Sequence, residues 1–155
     1  MLFGERGGFL RSLRSLIGLA VLCHGKPIGH VAAVLLDGQL RAIQALYFDG
    51  PLSGTRRVEG AQVKLLGRVS VMVEDKGRRA RLREEPIRRA LSTSGVRLGA
   101  ITGALIDPRS GRVAALELSR GFWEDLTQGR QWVFHYAVNR DSEDVLLMSE
   151  GGEKP

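Results

Sequence analysis

The feature that most constrains this chain is that it repeats itself. Sliding the sequence by 70 positions aligns Gly25 with Gly95, Gly29 with Gly99, Leu35 with Leu105 and Asp37 with Asp107. The match continues through Ala45 with Ala115, Leu46 with Leu116 and Val63 with Val133. Similar residues fill the gaps: Val31 with Ile101, Leu36 with Ile106, Ile43 with Val113. An ordered set of Gly, Asp and apolar pairs at one offset predicts two copies of one small module. A chain of 155 residues has room for both.

Each copy carries the local signals of strands. In the first, the apolar run Ile28 to Leu36 is followed by Asp37-Gly38 and a second run, Leu40 to Phe48. Asp-Gly between two apolar runs predicts a hairpin, with Gly38 taking a positive φ cheaply. In the second, the turn is Asp107-Pro108-Arg109-Ser110-Gly111, where Pro108 presets φ and Gly111 suits a left-handed position. Asp37 and Asp107 are therefore expected as turn anchors rather than catalytic acids. Gly29 and Gly99 lie in strand-like runs, where glycine marks a bend or a close backbone approach. Period-two alternation appears in Ala114, Leu116 and Leu118 against Glu117 and Ser119. It appears again in Trp132, Phe134, Tyr136 and Val138.

These signals predict an all-β chain of two small antiparallel β-barrels in tandem. Module one is expected at 15–73, a basic connector at 74–86, module two at 87–148 and a disordered tail at 149–155. Residues 1–14 read as a basic, mobile start. The hydrophobic content of 43% supports a core, and a charged content of 26% argues against a disordered chain.

Arg11 and Arg14 precede the apolar run Leu16 to Cys23, as in a secretion signal. The run is short, is broken by Gly18, has Leu22 before the cysteine, and has a counterpart in the second half. It is expected to be a strand. No run approaches the ~20 apolar residues of a membrane span. The single cysteine, Cys23, leaves no intramolecular disulfide, and a reducing cytoplasm is the expected setting.

The segment Gly25-Lys26-Pro27-Ile28-Gly29-His30-Val31-Ala32-Ala33-Val34-Leu35-Leu36-Asp37 resembles the core signature of the PRC-barrel domain, and Gly95 to Asp107 resembles it again. The stretch Leu116 to Leu126 is similar to the segment that follows in bacterial tandem members. The resemblance implies a small antiparallel barrel used for docking. The family includes the cytoplasmic domain of the photosynthetic reaction-centre H subunit and the C-terminal domain of a ribosome-maturation factor. No catalytic residue set defines it, and this chain carries neither the membrane helix of the former nor the N-terminal RNA-binding domain of the latter.

The chemistry-bearing residues point the same way. His24, His30 and His135 lack metal-ligand spacing, and Cys23 has no thiol partner. No catalytic residue, metal or cofactor is expected. The net charge of +6 permits nucleic acid, an anionic surface or an acidic protein as partner. Arg78, Arg79, Arg81, Arg83, Arg88 and Arg89 stand as anion or RNA contacts, or as a solvated linker partly neutralised by Glu84 and Glu85.

Phe122 and Trp123, after Gly121, either close a barrel end or anchor a partner. The strand carrying Ile43, Ala45 and Tyr47 is apolar on its other face too, at Leu46 and Phe48. Such a strand needs cover on both faces. Tyr47 is thus expected at an inter-module or inter-chain contact, with its counterpart Glu117 exposed. The functional expectation is a non-enzymatic adaptor with a protein partner, a second copy in a homo-oligomer included. The alternative is an RNA- or ribosome-associated factor.

Overall fold

The computed structural model describes residues 10–148. The first nine residues of the expected basic start, and the whole of the expected tail at 149–155, lie outside the described residues. The protein is all-β and forms two curled sheets, each a half-barrel. Residues 10–14 are ordered, contrary to expectation. Strand β1 (Arg11–Ser12) leads into a 3-10 turn at Leu13–Leu16, where the Ser12 hydroxyl accepts from the Ser15 N–H at 3.3 Å. Leu16 is fully buried, and the Arg11 guanidinium donates to the Gly67 carbonyl. Burial and that bond hold the segment down.

The chain divides into two compact units. The first runs up to Glu84 and takes in Ile106–Val113; the second comprises Glu85–Leu105 and the chain from Ala114 onward. In the first unit the strands are β2 (Ala20–Cys23), β3 (Lys26–Leu36), β4 (Ile43–Gly50), β5 (Gly54–Glu59), β6 (Val63–Leu66), β7 (Ser70–Val73) and β8 (Arg78–Arg79). Their order is β6-β7-β2-β3-β4-β5-β8. In the second they are β9 (Arg89–Ser92), β10 (Arg97–Ile106), β11 (Val113–Ser119), β12 (Gln131–Val133), β13 (Tyr136–Val138) and β14 (Val145–Leu147). Their path is β12-β11-β10-β9-β14-β13. The two paths are the same topology written twice, except that β8 adds a strand beside β5.

Strand pairing and register correct several expectations. The sheets are mixed, because β2 runs parallel to β7 and β9 parallel to β14. Each parallel pair joins segments separated by several intervening strands, and a long connection of that kind permits parallel pairing. The 70-residue offset also does not hold throughout. Leu46 pairs with Val58 in the first unit, and Leu116 with Val133 in the second. Val133 therefore matches Val58, not Val63. The second copy carries five more residues between these strands, where helix α1 (Phe122–Gln128) sits. The run Trp132 to Val138 is two strands, β12 and β13, at opposite ends of the sheet path.

Curvature comes from a bulge at the same place in both copies. Register slips between Val21 and Leu22 opposite Gly29 and Pro27, and again opposite Arg97 and Gly99. A bulge bends its strand and increases the local twist. There the glycines lie against the next strand: a Cβ on Gly29 would overlap the Asp49 carbonyl oxygen and lie 2.8 Å from the Phe48 ring. On Gly99 it would overlap the Ser119 carbonyl oxygen and lie 3.0 Å from Leu118. Asp49 and Phe48 match Ser119 and Leu118 at the 70-residue offset. The inner faces then close over Val21, Val31, Leu46, Phe48, Val58 and Val71 in the first unit, all buried. In the second they close over Ala90, Ala104, Leu116, Leu118 and Val145. Each fully buried large side chain of this kind stabilises by about 1.5–3 kcal/mol.

The hairpin turns share an anchor. Asp37 Oδ1 accepts from the Arg41 N–H at 2.8 Å, and Asp107 Oδ1 from the Arg109 N–H at 2.9 Å. Gly111 has φ +73°, but in the first turn the positive φ falls on Leu40 at +57° and not on Gly38. Leu40 is buried, so its packing offsets the backbone cost. Within the first unit, the Ile43 N–H donates to the Gly111 carbonyl at 3.0 Å and the Val113 N–H to the Arg41 carbonyl at 2.8 Å.

Replacing Gly29 or Gly99 by Ala is expected to destabilise the protein by about 1–3 kcal/mol, the cost of overpacking. Gly38→Ala, in open space, should change stability by less than about 0.5 kcal/mol. Urea unfolding followed by circular dichroism measures all three.

Candidate functional site

The outer face of β4 shows how the expected interface is filled. Ala45 and Tyr47 are buried with Leu35, and Ala33 and Ala80 pack against them. Within its own unit, the connector supplies cover over Tyr47 through Ala80. Ala80 follows β8, which pairs with β5 through Arg56 with Arg79 and Arg57 with Arg78. The Tyr47 hydroxyl accepts from Arg57 Nη1 at 3.0 Å, and the guanidinium carbon sits 5.6 Å from the ring centroid. Arg57 also bonds Glu59 at 2.8 Å, which raises the guanidinium pKa and lowers that of Glu59. Ile43 is half-buried and lines a cavity of about 240 Å³ with Gly60, Val63 and Leu66.

Glu117, expected to be exposed, is buried at 6%. Its carboxylate accepts from the Thr102 hydroxyl at 2.8 Å and pairs with Arg130 at 3.4 Å. A buried carboxylate requires such partners. Gly103 makes the room, since a Cβ there would lie 3.1 Å from Glu117 Oε1. The residues at 47 and 117 thus occupy one register position and both meet an arginine, one as an aromatic and one as an anion.

The arginine run divides. Arg89 makes a two-pronged ion pair with Asp144, at 3.0 and 2.8 Å, and this hydrogen bonding lowers the Asp144 pKa. Arg88 donates to the Glu143 carbonyl at 3.3 Å. These two hold the turn before β14 against β9. Arg78 lies 4.0 Å from Glu59. Arg79, Arg81 and Arg83 are exposed and make no ion pair with any described residue. Arg79, Ala80, Arg81 and Leu82 line a shallow groove with Leu52, Ser53, Gly54 and Thr55. Leu52 is almost fully exposed there.

Phe122 and Trp123 open helix α1 and do not sit in a turn. The side chain of Phe122 falls outside what the structure describes. Asp125 anchors the helix by accepting from the Ser119 hydroxyl at 2.5 Å and the Arg120 N–H at 3.2 Å, and the serine bond is the main cause of its lowered pKa. Trp123 is 72% exposed and Leu126 65%. Three positions apart, they share one face of the helix. Sequence reasoning missed Leu126; its spacing from Trp123 was the available signal. Trp132 and Phe134 are also exposed.

His24, His30 and His135 are each exposed, while Cys23 is buried. Among the described residues no three His, Cys, Asp or Glu side chains come together as a metal site. No helix of the described residues is long and apolar enough to cross a membrane. No family model matches the chain, and no curated protein matches it either.

Tyr47→Ala is expected to cost about 3–5 kcal/mol, as for other large buried rings, read by urea unfolding. Asp144 gives a pH test. Its pKa is lower in the folded state than in the unfolded one, so the unfolded chain binds its proton first as pH falls. The stability lost in Asp144→Asn should be fully present above the ordinary carboxylate range. The gap between wild type and variant should close as pH falls through the lowered value. Thermal unfolding across an acid series measures it.

Proposed function

We propose that this chain is a tandem PRC-barrel protein of the cytoplasm that acts as a non-enzymatic binding module for a protein partner, a second copy of itself included. The observation that carries the reading is the apolar pair Trp123 and Leu126, held outward on a helix that Asp125 ties to the end of β11. An exposed tryptophan on an anchored element is the kind of group that dominates protein association. The two-sheet architecture with its repeated glycine crossing is compatible with the tandem barrels that the sequence resembles. The conspicuous acids have structural duties: Asp37 and Asp107 cap turns, and Asp144 and Glu117 pair with arginines.

A second reading rests on Arg79, Arg81 and Arg83. Three exposed guanidinium groups that pair with no described acid, two of them lining a groove, suit phosphate, and would make the chain an RNA- or ribosome-associated factor. No aromatic side chain lines that groove for base stacking.

The double variant Trp123→Ser, Leu126→Ser is expected to abolish association, measured by sedimentation and by affinity capture with nuclease present, while leaving the unfolding midpoint nearly unchanged. Retained association in that variant would overturn the adaptor reading. Replacing Arg79, Arg81 and Arg83 with Ser should leave protein association intact. If RNA binding exists, the triple change should weaken it and reduce its salt slope by about 3 at most.

A further inference from the structure

The hairpin between β4 and β5 ends in an exposed apolar residue. Gly50 pairs with Gly54, which leaves Pro51, Leu52 and Ser53 as the tip. Leu52 is 96% exposed there. The connector runs up beside it. Arg79 pairs with Arg56, and the Ala80 N–H donates to the Thr55 carbonyl at 3.2 Å. Antiparallel pairing then carries Arg81 and Leu82 past Gly54 and Ser53 toward the tip, and all of them line one groove. Leu82 is 46% exposed. Arg79 and Arg81 are exposed and make no ion pair with any described residue. No aspartate or glutamate lines the groove. The acid bonded to it is Asp49, whose carboxylate accepts from the Thr55 hydroxyl at 2.7 Å.

We propose that this tip is a docking surface for an anionic phospholipid membrane. Leu52 and Leu82 enter the acyl boundary, and Arg79 and Arg81 meet the headgroup phosphates. The chemistry favours this occupant. A nucleic acid gains nothing from an apolar side chain on a hairpin tip, and the groove offers no ring for base stacking. Protein hot spots favour Trp, Tyr and Arg in desolvated pockets, and leucine is under-represented among them. At a bilayer surface, binding strength adds buried apolar area to attraction toward anionic lipids. Arginine suits the boundary between the two, because its stem lies along apolar surface while its head stays with phosphate. The proposal gives the arginines of the RNA reading a different ligand, and it is independent of the face carrying Trp123 and Leu126.

The test is co-sedimentation of the full chain, nuclease present, with vesicles of phosphatidylcholine alone or mixed equally with phosphatidylserine. The protein is expected on the mixed vesicles and not on phosphatidylcholine alone. Leu52→Ser leaves the charge and the urea midpoint unchanged, and should weaken binding about 10-fold or more, the worth of a leucine withdrawn from an apolar phase. Leu52→Trp should bind as well as the wild type, since tryptophan also suits the interface. Arg79→Ser with Arg81→Ser should weaken binding about 20- to 30-fold, at about fivefold per cation. Equal binding by Leu52→Ser and the wild type overturns the proposal, because basic charge alone then accounts for the attachment. So does absence from the mixed vesicles; capture of single-stranded RNA at the same salt then assigns the arginines to RNA. Loss of protein association in the Trp123 and Leu126 variant leaves vesicle binding unchanged, so the two readings fail separately.

Discussion

Two backbone crossings set the shape of this protein. At Gly29 and Gly99 a bulged strand passes so close to the carbonyl of its neighbour that no side chain fits between them. The bulge bends the strand, and the glycine lets the bent strand stay paired. Everything inward of the crossings follows from the curl: Phe48 and Leu118 sit beside the glycines, and the small apolar cores close around them. Both copies preserve the crossing although their loops differ in length. The sheets accept an added helix between strands, but the crossing has the same partners each time.

The outer faces are where the copies part. Position 47 holds a tyrosine under Ala80, and position 117 a carboxylate over Gly103. Tyr47 brings an apolar body that needs a covering chain, and the connector supplies it. Glu117 brings a charge that needs donors, and Thr102 with Arg130 supply them. One scaffold position therefore demands two kinds of neighbour, and the surroundings differ accordingly. The first unit is sealed by its own strand, while the second presents aromatic groups on α1 and along β12 to the outside.

Much of this was legible in the residues. The repeat gave the two-unit architecture because glycine, aspartate and alternating apolar residues each answer a local backbone demand. Both aspartates read as turn anchors for that reason. What the residues could not disclose was strand order: parallel pairing of β2 with β7 depends on where a distant segment returns, and no local pattern encodes it. The slip from Val63 to Val58 as the partner of Val133 arose because valines are interchangeable in a pattern and register is not. Glu117 looked exposed because a charge usually is; its burial rests on Arg130, thirteen positions away. Arg88 and Arg89 looked like part of one basic run until their partners at Glu143 and Asp144 separated them from Arg79, Arg81 and Arg83.

The division of the chain has a consequence for its biosynthesis. The first unit includes Ile106–Val113, and its bonds from Ile43 to Gly111 and from Val113 to Arg41 use residues from far downstream. A ribosome releases the chain from its N-terminus at about 5–20 residues per second, and domains generally fold in that order. Here the leading unit waits, several seconds by that rate, for a hairpin tip that belongs by sequence to the trailing repeat. During that interval the backbone of Ile43 and Arg41 is an open template. The nascent chain closes it with its own next copy, which has the matching residues at the matching positions.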